Sequence, residues 1–118
     1  MVVTEDPTSQ WLRGVLDLCL MAVLAHEPLY GYEMTRHLTS AGLSTVADGS
    51  IYPALSRLEK AGLIESFTQA GSGGPPRKYY RLTPSGRTTL VNRSQEWRTF
   101  SNSIESVLKN GMDGVSHG

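Results

Sequence analysis

Tyr52, Ser56, Arg57 and Lys60 fall close together in the stretch GSIYPALSRLEKAGLI, residues 49–64. All four side chains end in hydrogen-bond donors. At 100° per residue, Ile51, Ala54, Leu55, Leu58 and Ala61 share one arc of about 120°, the apolar stripe of a packed helix. The donors fall on the remaining arc, with Pro53 and Glu59. Such an outer face matches the major groove of duplex DNA, where donors meet base edges and phosphates and Pro53 or the Tyr52 ring can touch a thymine methyl. The plain alternative is a solvated helix surface. A second basic group, Arg77-Lys78, opens a β-favouring stretch just past Gly71-Ser72-Gly73-Gly74-Pro75-Pro76. Placed over the adjacent backbone or minor groove, it would add affinity rather than sequence information.

Other chemistries find little footing. Cys19 lies within an apolar run with no neighbouring base, which describes a buried, inert thiol rather than a redox sensor. His26, His37 and His117 are scattered and have no second cysteine to join them, so no metal site is expected. The glycines at 71, 73 and 74 lack the lysine and the strand-to-helix context of a phosphate-binding loop. No nucleophile with its base and no carboxylate pair is indicated by spacing, so neither an enzymatic activity nor a cofactor is expected.

The elements that must carry the basic face follow from pattern. A first helix is predicted from about Ser9 to Ala25, apolar on most faces and ended by Pro28. A second covers Tyr32 to Leu38, with Met34, Leu38 and Ala41 on one buried face. Gly42 offers its stop, and a short polar connection leads to the third helix, with Ser50 as N-cap, Pro53 in its first turn and Gly62 at its end. Residues 63–68 and 78–83 read as the two strands of a hairpin with a basic, flexible tip. Thr83 and Pro84 then open a long helix as cap and first helical residue. Along it Leu90, Trp97, Phe100, Ile104, Val107 and Leu108 form a heptad-like apolar strip that so small a domain cannot cover, which predicts pairing with another helix.

The 118 residues, with zero formal net charge and 39% hydrophobic content, suit one small domain. The charges are unevenly placed: between Gly49 and Arg93 seven arginines and lysines face only Glu59 and Glu65, so one region carries a positive field. The apolar run at Val15 to Ala25 is broken by Asp17 and is shorter than the roughly 20 residues of a membrane span. No secretory signal precedes it, and a cytoplasmic location is expected. The predicted fold is mainly α with a small β-hairpin: a winged helix-turn-helix over residues 9–83, a C-terminal dimerisation helix over 84–109, and flexible tails at 1–8 and 110–118.

With Tyr30-Gly31-Tyr32-Glu33-Met34 before the second helix, GSIYPALSRLEKAGLI, and Arg77-Lys78-Tyr79-Tyr80-Arg81-Leu82-Thr83 before the last, the chain resembles the PadR family of bacterial transcriptional regulators. The likeness runs from about Leu12 to Thr83. It implies a homodimeric repressor that binds double-stranded inverted-repeat operators and is released by a small molecule or another signal. The expected DNA-facing residues are Tyr30, Ser50, Tyr52, Pro53, Ser56, Arg57, Lys60, Arg77 and Lys78. The length resembles the compact branch of that family, in which a single C-terminal helix makes the dimer interface. In multidrug-sensing members of that branch a tryptophan on this helix pairs with its symmetry mate around a flat aromatic ligand. Trp97 matches that position. Trp11 either closes the same pocket or covers a helix end. The rival reading is a winged helix used as a protein-interaction module, its basic face meeting an acidic partner; a small-molecule binder with vestigial DNA contacts ranks third.

Overall fold

The computed structural model describes residues 11–12, 14–43, 48–70 and 73–117. Among the described residues, the bounded helices and strands follow one another in the order α1 (Leu16–Val23), β1 (Leu29–Tyr30), α2 (Gly31–Ser40), α3 (Asp48–Lys60), β2 (Ile64–Gln69), β3 (Arg77–Leu82) and α4 (Pro84–His117). This is the expected winged helix with a long C-terminal helix. Leu20, Met21, Leu24, Met34, Ile51, Leu55 and Ile64 are its most completely buried side chains. They come from α1 and its C-cap Leu24, α2, α3 and β2, so one core joins these helices to the sheet. No helix among the described residues is long and apolar enough to cross a membrane.

Helices α2 and α3 end in the same way, and for the reason the sequence offers. Gly42 (φ +97°) and Gly62 (φ +77°) take the left-handed conformation. The next residue then reaches back, Leu43 N–H to the Leu38 carbonyl and Leu63 N–H to the Leu58 carbonyl, at 2.9 and 3.0 Å. These are glycine-terminated Schellman closures, and they turn an apolar residue inward after each helix. At the other end of α2, Glu33 accepts a hydrogen bond from the Tyr30 N–H at 3.1 Å, as the third residue of a capping box does.

Several boundaries differ from those expected. Trp11 and Leu12 are helical, but the predicted run is interrupted before α1 begins at Leu16 by a turn in which Gly14 N–H reaches the Trp11 carbonyl and Val15 N–H the Leu12 carbonyl. Gly14 is a poor helix residue and breaks the run. Leu29-Tyr30, read as a lead-in to the second helix, forms a third strand: the sheet order is β1-β3-β2, all antiparallel, with Leu29 opposite Tyr80 and Tyr30 opposite Tyr79. Helix α3 starts at Asp48, so Ser50 is helical rather than an N-cap and Pro53 lies in the second turn. Its ring removes the N–H that would serve the Gly49 carbonyl. Residues 110–117, expected as a tail, continue α4 to His117. Neither Gly111 nor Gly114 takes a positive φ, and adding residues to a formed helix costs far less than nucleating one. The expected tail at 1–8 lies outside the described residues, as does most of the 44–48 connection.

Thr83 caps α4 as predicted. Its hydroxyl accepts from the Gly86 N–H at 3.0 Å and donates to the Gly62 carbonyl at 2.7 Å, while its own N–H reaches the Leu63 carbonyl at 3.1 Å. Arg87 donates to the Ala25 carbonyl at 3.0 Å. The start of the long helix is thereby tied to the ends of α3 and α1.

Candidate nucleic-acid interface

Local structure places the predicted contact residues on two sides of the domain. Tyr52, Pro53, Ser56, Arg57 and Lys60 are all exposed along α3. Ser50 belongs to the same helix, but its side chain lies outside the described residues. Tyr52 leans across to the first turn of α2, and its ring and hydroxyl occupy the space above Gly31. Around that contact an open groove of about 450 Å³ is lined by Tyr30, Gly31, Tyr32, Tyr52, Arg77, Lys78 and Tyr80. The structure thus brings together Tyr30, Tyr52, Arg77 and Lys78 from three different elements, β1, α3 and β3.

The wing explains how its cations are held. Cross-strand pairing sets Tyr79 between Tyr30 on β1 and Phe67 on β2. The ring centroids are 5.4 Å apart for Tyr30 and Tyr79 and 5.8 Å for Phe67 and Tyr79, and Tyr30 also stacks on Tyr32 at 6.3 Å. Arg77 lies over the Tyr30 ring at 4.6 Å, Arg81 over Phe67 at 4.7 Å and Lys78 over Tyr80 at 5.5 Å. An aromatic face under a cation favours it through the ring quadrupole while leaving its charge outward. Arg81 is further neutralised by Glu65 at 2.7 Å. Arg77 and Lys78 have no carboxylate partner among the described residues, which leaves the groove side of the wing positive. Sequence reading passed over Gly31, Tyr32 and Tyr80 as site residues; the tyrosines around each strand end were the available signal.

Arg57 stands apart. Its Nη2 lies 2.9 Å from Oδ1 of Asp17 on α1. Both residues line a second groove, of about 500 Å³, with Gly14, Val15, Leu18, Arg93, Glu96, Trp97 and Phe100. Glu59 is also taken up within the fold, accepting from the Ser66 hydroxyl at 2.6 Å and so joining α3 to β2. Ser56 and Lys60 remain on the outer edge beside Tyr52.

On α4, Leu90 packs against the core, whereas Trp97, Phe100, Ile104, Val107 and Leu108 are exposed. Met112 and Val115 extend the exposed apolar strip towards the C-terminus, while Val91, about 180° round the helix from Phe100, is exposed on another side. The Trp97 and Phe100 rings lie 6.1 Å apart. Trp11 is 73% exposed and is not among the residues lining the Trp97 groove. Cys19 is half-buried rather than fully buried, and that burial pushes its thiol pKa above its ordinary value. Among the described residues no three His, Cys, Asp or Glu side chains group as metal ligands.

Comparison with known proteins places this arrangement. The family model described as the PadR-like family of transcriptional regulators matches residues 20–92. A PadR-like transcriptional regulator from Bacillus cereus is 40% identical in sequence, with a TM-score of 0.75 over 84% of this chain and 96% of that one. A PadR family regulator from Eggerthella lenta is 31% identical, with a TM-score of 0.76 over 85% of this chain and 87% of that one. The Mycobacterium tuberculosis transcriptional regulator Rv3488 is 30% identical over 92% of each chain.

Proposed function

The chain belongs to the PadR-like family of transcriptional regulators and is a DNA-binding regulator rather than an enzyme, and we propose that it acts as a homodimeric repressor of inverted-repeat operators. One observation carries this reading: Tyr52 of the recognition helix α3 lines a single groove with Arg77 and Lys78 of the wing, cations with no carboxylate partner among the described residues. In that reading α3 enters the major groove with Tyr52, Ser56 and Lys60 along its edge, and the wing lies on the neighbouring backbone.

The second copy is assigned to α4. Its exposed strip from Trp97 to Val115 is the kind of surface that a monomer rarely leaves uncovered. Pairing along it would set two α3 helices into successive major grooves, about 34 Å apart. A flat aromatic effector seated beside Trp97 would relieve repression by favouring one arrangement of the pair, in proportion to its differential affinity for the two states. The groove between α1 and α4 supports that placement.

Selection from random duplexes at about 0.15 M salt, where exposed charges are partly screened, tests the assignment. An enriched inverted repeat with half-sites one helical turn apart is expected. A folded dimer that enriches no sequence would shift the basic groove to an acidic protein partner.

A further inference from the structure

We propose that Arg57 is a positioning residue of the recognition helix and not a reader of bases. This rests on the dimeric DNA-binding reading above. On a helix Tyr52, Ser56 and Lys60 step round by about 40° each, at i, i+4 and i+8, while Arg57 lies about 140° from Tyr52. An edge that presents the first three to a groove turns the fourth aside. The aside is occupied: Arg57 Nη2 sits 2.9 Å from Asp17 Oδ1, and the two residues form part of the wall opposite Trp97 and Phe100. No residue is common to that groove and to the one that gathers Tyr52, Arg77 and Lys78.

The pair links three helices in series. Arg57 belongs to α3, Asp17 to the first turn of α1, and α1 packs on α4. If two chains join through α4, the Arg57–Asp17 contact fixes the recognition helix against the body that holds the second copy. What it sets is the tolerated separation between half-sites, while base choice within each half-site is left to other side chains. The side chains of Arg57 and Asp17 are 61% and 32% exposed, so the contact is a modest one and a groove occupant bearing charge can reach it. Arg93 and Glu96 face the same space.

The test uses the full chain and libraries of duplexes in which the spacing between the wild-type selected half-sites is varied. Arg57→Ala and Asp17→Asn are each expected to keep the wild-type base preference at every position and the wild-type salt slope. Both should accept a wider range of spacings and lose roughly two- to fivefold in affinity for the best duplex, the scale of one exposed ion pair. The exchanged double variant, D17R with R57D, should restore the narrow spacing. A melting temperature alone would not register this, since a purely structural contact has no reason to alter spacing. Relaxed preference at one base position in Arg57→Ala only would make Arg57 a base reader. A salt slope smaller by about two, one for each subunit, would make it a phosphate contact. Either result overturns the proposal while leaving DNA binding intact. Failure of the wild-type chain to select any duplex would instead overturn the DNA reading and this inference with it.

Discussion

The Tyr52 ring closes over Gly31 so tightly that a Cβ built on Gly31 would stand 2.7 Å from the phenolic oxygen and 3.1 Å from the ring carbon bearing it. Gly31 has an ordinary backbone conformation, so its smallness, not its flexibility, is what the contact requires. The opposing group is the free end of a side chain that is itself half exposed. Gly31→Ala should therefore cost little stability but swing Tyr52 out of the groove. A near-wild-type urea midpoint with a several-fold weaker operator complex is expected, and unaltered operator affinity would remove this contact from the interface.

Gly86 presents the opposite case. A Cβ there would collide with the backbone carbonyl of Leu63 and crowd Leu82. The gain in helix propensity from alanine, about 1 kcal/mol, is then outweighed by overpacking of about 1–3 kcal/mol. Gly86→Ala should lower the midpoint of urea unfolding without changing its slope.

Arg77→Ala and Lys78→Ala should weaken binding to all duplexes alike. If each cation neutralises one phosphate in each half-site, each substitution removes two contacts from the dimeric complex and lowers the dependence of log K on log salt by about 2. Titrations at several salt concentrations read this directly. Tyr52→Ala should behave differently, with a loss of about 1–3 kcal/mol confined to the selected sequence if its ring or hydroxyl meets a base.

Trp97→Ala should raise the dimer dissociation constant by roughly 30-fold, the effect of losing about 2 kcal/mol at an aromatic interface anchor. Sedimentation velocity over a concentration series measures it. Met112→Glu tests how far the pairing reaches: a weakened dimer would place the last two turns of α4 in the interface, and an unchanged one would end it sooner.

Cys19 should react slowly with a maleimide at neutral pH. Its pKa is raised by burial, so the thiolate that attacks is scarcer than in a free cysteine until the pH climbs past the shifted value. The labelling rate plotted against pH should rise later than that of a small free thiol, and mild urea should bring the two curves together.

Much of the helical framework was legible because its punctuation is local. Gly42, Gly62, Thr83 and Pro84 act on their own backbone and its immediate neighbours, and the apolar stripe of α3 follows from spacing alone. The two-residue strand β1 has no such signature, since Leu29-Tyr30 becomes a strand only by finding Tyr79-Tyr80 across the sheet. Arg57 shows the same limit at the candidate site. A helical wheel identifies it as an outward residue, but its partner Asp17 lies forty positions earlier, and only the packing of α1 against α3 selects which outward direction faces which surface. The end of α4 is not legible in composition, because a polar, glycine-containing stretch can still extend a helix already formed at far lower cost than nucleating one.

The clamp around Thr83 makes the recognition helix and the long helix a single lever. One hydroxyl joins Gly62, at the end of α3, to Gly86, in the first turn of α4, and there is no room between Gly86 and the Leu63 carbonyl for the joint to slide. With 34 residues at about 1.5 Å each, the arm is roughly 50 Å long. A tilt of about 5° at the joint sweeps its far end by roughly 4 Å. If two chains pair along this arm as proposed, torque applied where the arms cross would be delivered at the fulcrum as a small rotation of α3, the proposed recognition helix.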